Sequence, residues 1–472
     1  MIKGMKELST ADLIKIINRR DPRYDGRFYF GVKTTGIYCR PVCPAKPKPE
    51  NILIFKSASE AENAGYRPCL RCRPDVAPGS KLLQGTVNSV SRALRIIDET
   101  TEESMDVATL AEKVGMTDRH LRRLFDEHLG ASPIEILVTK RLHLAKQLIV
   151  QTGSPITEIA LAVGFKSIRR FNEAFKQLYK VPPSEVRKNI SKGKQVEELT
   201  LFISVRLPFD WPTVLAYLTR HETYGVERVQ DQTYIRFIPV QGGYATVQVS
   251  FDEKMSALKI QTSDLPLPKI RSTIALLKHL FDTEHNPKHL PDNKKLSPQG
   301  VRIPGCFDGF EVAVSIILGQ LVSTEHAKKK IKDLVLRFGE KVSEAEEVYT
   351  FPTPQVLSKA VIEEIGVTKV KAGAIRALSQ SFVDDDIQLS PTADSEVMRA
   401  KLLAIRGIGP WTVEMIAMRC LGDSDAFPAN DLIVERAIKN KKLQSEEWTS
   451  FRAYLVHCLW RDSVSSVKGR IL

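Results

Sequence analysis

LAIRGIGPWTVEMIAMR, residues Leu403–Arg419, sets two helical stretches around a tight hairpin, Arg406-Gly407-Ile408-Gly409-Pro410. Gly407 and Gly409 let backbone N–H groups come close to a phosphate, although a G-x-G by itself usually marks a turn. Here it has company: Asp431, in DAFPANDLIVERA, follows Gly409 by 22 residues. Moving toward the N-terminus, the chain reads as helical back to about Asp264, with caps and proline breaks. Before that, TYIRFIPV and YATVQVSF alternate at period two and read as strands. Residues 198–472 are therefore expected to form one unit, β-rich over 198–285 and helical over 286–472.

Further upstream, residues 82–190 read as all helix and contain a repeat. LAEKVGMTDRHLRRLF (Leu110–Phe125) matches IALAVGFKSIRRFNEAF (Ile159–Phe175), each with a glycine (Gly115, Gly164) between a short and a longer helix. Leu121, Leu124 and Phe125, and in the second copy Phe171, Ala174 and Phe175, are expected to face the core. Arg119, His120, Arg122 and Arg123, and then Ser167, Arg169, Arg170 and Asn172, are left outside. Residues 1–78 are rich in Gly, Pro, Cys and aromatics, the composition of a small unit that needs a staple. VAPGSK (76–81) and NISKGKQVEE (189–198) read as linkers.

Charge divides unevenly along these segments. Residues 1–194 hold 34 Lys and Arg against 21 Asp and Glu, whereas residues 195–472 hold 35 of each. The whole formal excess of +13 lies in the first part, a field that suits a polyanion such as nucleic acid. No run reaches the roughly 18 apolar residues of a membrane helix. The N-terminus lacks the apolar core of a signal peptide, and seven unevenly placed cysteines do not make a secreted disulfide framework. A reducing bacterial cytoplasm, close to the nucleoid, is the expected location.

Four of those cysteines form Cys39-x3-Cys43 and Cys69-x2-Cys72, a spacing that can give four thiolates to one tetrahedral Zn2+. Spacing alone says structural zinc. The flanks FGVKTTGIYCRPVCPA (Phe30–Ala45) and GYRPCLRCRP (Gly65–Pro74) resemble the N-terminal domain of the Ada DNA-repair regulators. That resemblance implies that Cys39 accepts a methyl group from a DNA methylphosphotriester, with Cys43, Cys69 and Cys72 as co-ligands. Zinc keeps a thiol deprotonated and therefore nucleophilic at neutral pH. Four thiolates on Zn2+ carry a formal −2, and methylating Cys39 leaves −1, so repulsion from nearby phosphates falls. The acceptor is consumed, which makes this half stoichiometric.

The duplicated helix-turn-helix resembles the DNA-binding domain of AraC-type activators, with the second helix of each copy placed to enter a major groove. The C-terminal half is similar to AlkA, the inducible 3-methyladenine glycosylase, within the helix-hairpin-helix superfamily that includes endonuclease III. The similarity runs from about Leu199 through RIPGCFDGFE (Arg302–Glu311), ILGQLVS (Ile317–Ser323), FPTP (Phe351–Pro354) and GIGPWT (Gly407–Thr412). It implies that Asp431 is the catalytic carboxylate and Leu321, beside Gln320, the wedge that fills the space of a flipped nucleotide. Trp411 and Trp460 are the implied base pocket, since a cationic alkylated purine stacks well on indole. Bifunctional relatives carry a lysine at the position of Trp411, so hydrolysis without strand cleavage is expected. Aromatics of the family pocket are replaced by Met415 and Leu432, which bears on the range of damaged bases. Cys306, Cys420 and Cys458 lack the iron–sulfur spacing and read as buried thiols. The Pro-Cys-His-Arg core of alkylguanine methyltransferases does not occur.

The expected fold class is multidomain α+β: a zinc-stapled module, an all-α double helix-turn-helix, and a small sheet joined to a helical body. The expected partners are damaged and promoter double-stranded DNA and RNA polymerase, with the chain a monomer away from membranes. Two other readings make different predictions. A regulator whose glycosylase half is a silent DNA clamp would bind alkylated DNA without releasing bases, and a purely structural zinc module would leave Cys39 unmethylated.

Overall fold

The computed structural model describes residues 9–468 except 22–23, 70–71, 73, 75–85, 100–104, 189–198, 292, 294, 297 and 344–345. Both expected linkers, 76–81 and 189–198, lie outside the described residues.

Helix Thr10–Arg19 opens on a reciprocal cap in which Ser9 and Asp12 satisfy each other's backbone N–H. It lays Leu13, Ile16 and Ile17 on a small sheet in the order Ile52–Phe55, Tyr29–Val32, Ile37–Cys39, Arg67–Pro68. The last pair is parallel, with Ile37 opposite Arg67 and Tyr38 opposite Pro68. That register carries Cys39, the last residue of its strand, and Cys69, just past the end of its own, to the same end of the sheet, where Cys69 N donates to Tyr38 O at 3.0 Å.

The helical segment follows its local signals closely. Thr117 caps helix Asp118–Leu129 and Ser167 caps helix Ile168–Tyr179. Gly115 at φ +74° and Gly164 at φ +95° make the turns, a backbone region that costs other residues a steric clash. Helix Pro133–Gln151, started by a Ser132/Glu135 capping box, joins the two copies. The first copy has its own core around Leu110, Leu121, Leu124 and Phe125.

The second copy does not stand apart. Leu148, Ile159, Phe171 and Phe175 belong to one continuous apolar cluster with Leu201, Ile203, Val247 and Ile260 of the following sheet. That sheet is antiparallel throughout, in the order Leu199–Ser204, Ala257–Ser263, Gly243–Asp252, Thr233–Val240, Glu227–Gln230. Helices Trp211–Arg220 and Leu267–Leu280 supply Trp211, Leu215, Ile270 and Leu277 to the same cluster. The β-rich stretch expected over 198–285 thus includes two helices.

The helical body is built round helix Gly309–Gly319, which is apolar on nearly every side and buries Phe310, Ala313, Val314, Ile316, Ile317 and Leu318. Helices Thr324–Phe338, Lys369–Val383 and Pro410–Arg419 pack around it. A short hairpin, Lys341–Ser343 with Val348–Tyr349, interrupts the expected run of helix. Body and sheet are pinned by a buried bidentate pair in which Arg236 donates to both oxygens of Glu311, at 3.1 and 2.7 Å.

Candidate functional site

Two centres emerge. In the first, the sulfurs of Cys39, Cys43, Cys69 and Cys72 all lie within 4.8 Å of one another, and all four residues are buried. A tetrahedral zinc with bonds of about 2.3 Å needs sulfurs about 3.8 Å apart, so this spacing accepts one ion. The chemistry of the donor set points the same way. Four buried thiols facing one another, with no acidic or basic side chain in the cluster, are the soft donor set that a single zinc ion takes. One Zn2+ held by the four cysteines is the cofactor of this module.

Arg40, next to Cys39, braces that centre. Its backbone N–H donates to Cys72 Sγ at 3.4 Å and its guanidinium to the Cys72 carbonyl at 3.1 Å. The same guanidinium pairs with buried Asp25 and reaches Ser204 of the five-stranded sheet at 3.4 Å. On the other side of Cys39, Tyr38 donates to Glu62 at 2.7 Å, and Glu62 also meets His143 and Thr139 of helix Pro133–Gln151. The sequence reading missed these braces, because only Arg40 carries a local signal.

On the helix-turn-helix, Arg119, Arg122, Arg123, Arg169, Arg170 and Asn172 are exposed, whereas His120 and Ser167 are half-buried. The Ser167 hydroxyl accepts from Arg170 N at 3.3 Å and His120 Nδ1 lies 3.1 Å from Arg123, so both have roles inside the fold. Leu121, Leu124, Phe125, Phe171 and Phe175 are buried and Ala174 is half-buried.

The second centre gathers residues from three parts of the helical body. Asp431 caps helix Leu432–Lys441, its Oδ1 accepting from Ile433 N at 3.1 Å and Val434 N at 3.0 Å. Its carboxylate also receives two indole N–H groups, from Trp411 on Oδ2 and from Trp460 on Oδ1, each at 3.2 Å. A plain helix cap needs neither indole. Four donors fix the plane of this carboxylate. Met415, four residues after Trp411 on the same helix, is buried, while Leu432, next to Asp431, is exposed.

The hairpin forms as read, with Gly407 at φ +96°. Gly409 begins helix Pro410–Arg419 without any side-chain cap, so the first N–H groups of that helix have no side-chain acceptor from the cap residue. Gln320 donates from its side-chain amide to Gly407 O at 3.1 Å and Thr412 Oγ1 at 2.8 Å, so it braces the hairpin. Leu321 projects fully into solvent at φ +55°. Cys306, Cys420 and Cys458 are buried.

Residues 12–75 match the metal binding domain of Ada, 110–189 a helix-turn-helix domain, 200–308 the AlkA N-terminal domain and 314–450 the HhH-GPD superfamily of base excision DNA repair proteins. The chain is 32% identical to a probable bifunctional transcriptional activator/DNA repair enzyme AlkA of Mycobacterium tuberculosis, over 94% of this chain and 95% of that protein. It is 29% identical to DNA-3-methyladenine glycosylase 2 of Escherichia coli, over 54% of this chain and 94% of that one. Similarity to the bifunctional transcriptional activator/DNA repair enzyme AdaA of Bacillus subtilis is 31%, over 39% of this chain and 86% of its relative.

Proposed function

Because the chain belongs to the family of bifunctional transcriptional activator/DNA repair enzymes, joining a methyl-accepting zinc module and a DNA-binding activator module to a 3-methyladenine-type glycosylase, we propose how its residues divide that work. In the glycosylase half, Asp431 is the catalytic carboxylate. The supporting observation is its double indole clamp by Trp411 and Trp460.

Alkylation of a purine ring nitrogen makes the base cationic and weakens its bond to the sugar, so the leaving base needs little acid. Departure of the base leaves an oxocarbenium-like sugar, and an oriented carboxylate stabilises that charge and places the attacking water. Trp411 and Trp460 serve twice, as donors to Asp431 and as aromatic walls for the extruded cation. Leu321 fills the vacated stack, and Gly407 and Gly409 hold the phosphate backbone. No lysine stands at position 411 to form a Schiff base, so the strand stays whole.

In the activator half, Cys39 takes the methyl group. Its sulfur forms a bond to the methyl carbon, the carbon–oxygen bond breaks, and the phosphodiester leaves with the electron pair. Bound zinc supplies the positive charge that keeps the four sulfurs as thiolates. Arg119, Arg122, Arg169, Arg170 and Asn172 form the promoter-facing surface, and His120 and Ser167 support it. Among the described residues no helix is long and apolar enough to cross a membrane. A cytoplasmic, nucleoid-associated monomer that contacts RNA polymerase once bound to a promoter fits this arrangement.

The deciding experiment compares the natural chain with Asp431→Asn on methylated duplex DNA, scoring free 3-methyladenine and strand cuts. Base release by the natural chain alone, without cuts, is expected. Tight binding with no release by either protein would overturn the reading and leave a DNA clamp.

A further inference from the structure

The turn that presents Leu321 is poorly supported by its own neighbours. Leu321 adopts left-handed backbone at φ +55°, a conformation that L residues other than glycine enter at a cost. Its exposed side chain gains nothing from burial in the free protein. The last carbonyls of helix Gly309–Gly319 also need donors, as at any helix C-terminus.

Those donors come from Lys371, fifty residues away on helix Lys369–Val383. Its Nζ donates to Leu318 O at 2.9 Å and to Gln320 O at 2.7 Å. The ammonium sits at the negative end of the helix dipole, where a cation is favoured. It is half-buried, and burial pulls its pKa below the ordinary lysine value, so the charge is held there by these carbonyls against a desolvation cost. On the far side of the same turn, the Gln320 amide is fastened to Gly407 and Thr412. The wedge turn is therefore held between Lys371 below and the phosphate-binding hairpin beside it. A Cβ on Gly407 would come within 3.3 Å of Val370 O, which shows how closely helix and hairpin approach.

We propose that Lys371 is a positioning residue for base extrusion: by gripping the carbonyls of Leu318 and Gln320 it holds Leu321 in the strained backbone from which the side chain enters the base stack. The inference rests on the reading of Leu321 as the wedge. Its consequence is selective. A wedge offsets the cost of opening a paired stack, and that cost is smaller for a mismatched base. Losing Lys371 therefore slows excision where extrusion is hard and spares it where extrusion is easy.

The test uses the full chain and duplexes carrying one 7-methylguanine opposite cytosine or opposite adenine, with 2-aminopurine next to the lesion to report unstacking. Lys371→Met is expected to slow single-turnover release opposite cytosine by about tenfold or more and release opposite adenine by less than about threefold. The 2-aminopurine signal should fall in parallel, and Lys371→Arg should restore most of both. Leu321→Ala, run alongside, should show the same selective loss. An equal loss on both duplexes in Lys371→Met, with Leu321→Ala still selective, would overturn the role of Lys371 while leaving the wedge. No selectivity in Leu321→Ala would remove the wedge itself and the inference with it.

Discussion

The indole N–H of Trp460 donates to Oδ1 of Asp431 across 3.2 Å, joining helix Arg452–Lys468 to the cap of helix Leu432–Lys441. With Trp411 on the other oxygen, the carboxylate is held by groups that also border the expected base pocket.

Replacing either indole by phenylalanine keeps a ring and removes one donor to a carboxylate. A hydrogen bond to a charged group is worth about 1.5–3 kcal/mol, so Trp411→Phe and Trp460→Phe should each slow base release about tenfold or more. Single-turnover rates on methylated duplex DNA check this. Unchanged rates would show that the clamp is idle.

Gly407 stands at φ +96°, where a Cβ would meet Ala374 at 3.1 Å and Val370 at 3.2 Å. Gly407→Ala strains the hairpin by about 1–3 kcal/mol. Affinity for undamaged duplex should fall about tenfold or more with the melting temperature only slightly lower, measured by titration at fixed salt and by calorimetry. Full affinity in the variant would mean that the hairpin does not carry the backbone contact.

The buried ring of His457 packs against Tyr217 and Trp460. Burial, reinforced by Arg419, pulls its pKa down to about 3 from the usual 6.5. Below pH 6.5 the unfolded chain takes up a proton that the folded chain refuses until about pH 3, so this residue lowers stability as the medium is acidified. The slope is close to 1.4 kcal/mol per pH unit. Denaturant unfolding between pH 7 and pH 4.5 should show it, and His457→Gln should flatten the curve by that amount. Identical slopes would contradict a neutral buried imidazole.

Four thiolates in one cluster predict one zinc per chain, released by a chromogenic chelator once the sulfurs are blocked. Removing the metal should expose the N-terminal module to protease while helices from Pro133 onward stay protected. Methylation of Cys39 reduces the formal charge of the loaded centre from −2 to −1, so methylated protein should bind promoter DNA more tightly, most visibly at low salt. Equal binding at every salt concentration would rule out this electrostatic switch.

What the sequence by itself determined were features written in neighbouring residues. Gly115, Gly164 and Gly407 take the left-handed backbone their turns require. The two cysteine pairs announced a tetrahedral site because ligand spacing is itself local. Other relationships span distances that no periodicity encodes. The second helix-turn-helix shares its core with the sheet across residues 189–198 because both expose apolar faces that must find cover. Asp431 meets indoles 20 and 29 residues away, Arg40 ties the zinc centre to Ser204, and Lys371 reaches the wedge turn from another helix. Those contacts depend on how helices cross and on which unpaired carbonyls and carboxylates lie within hydrogen-bond reach. Only the tertiary structure decided them, since a buried polar group must find a partner wherever the packing happens to place one.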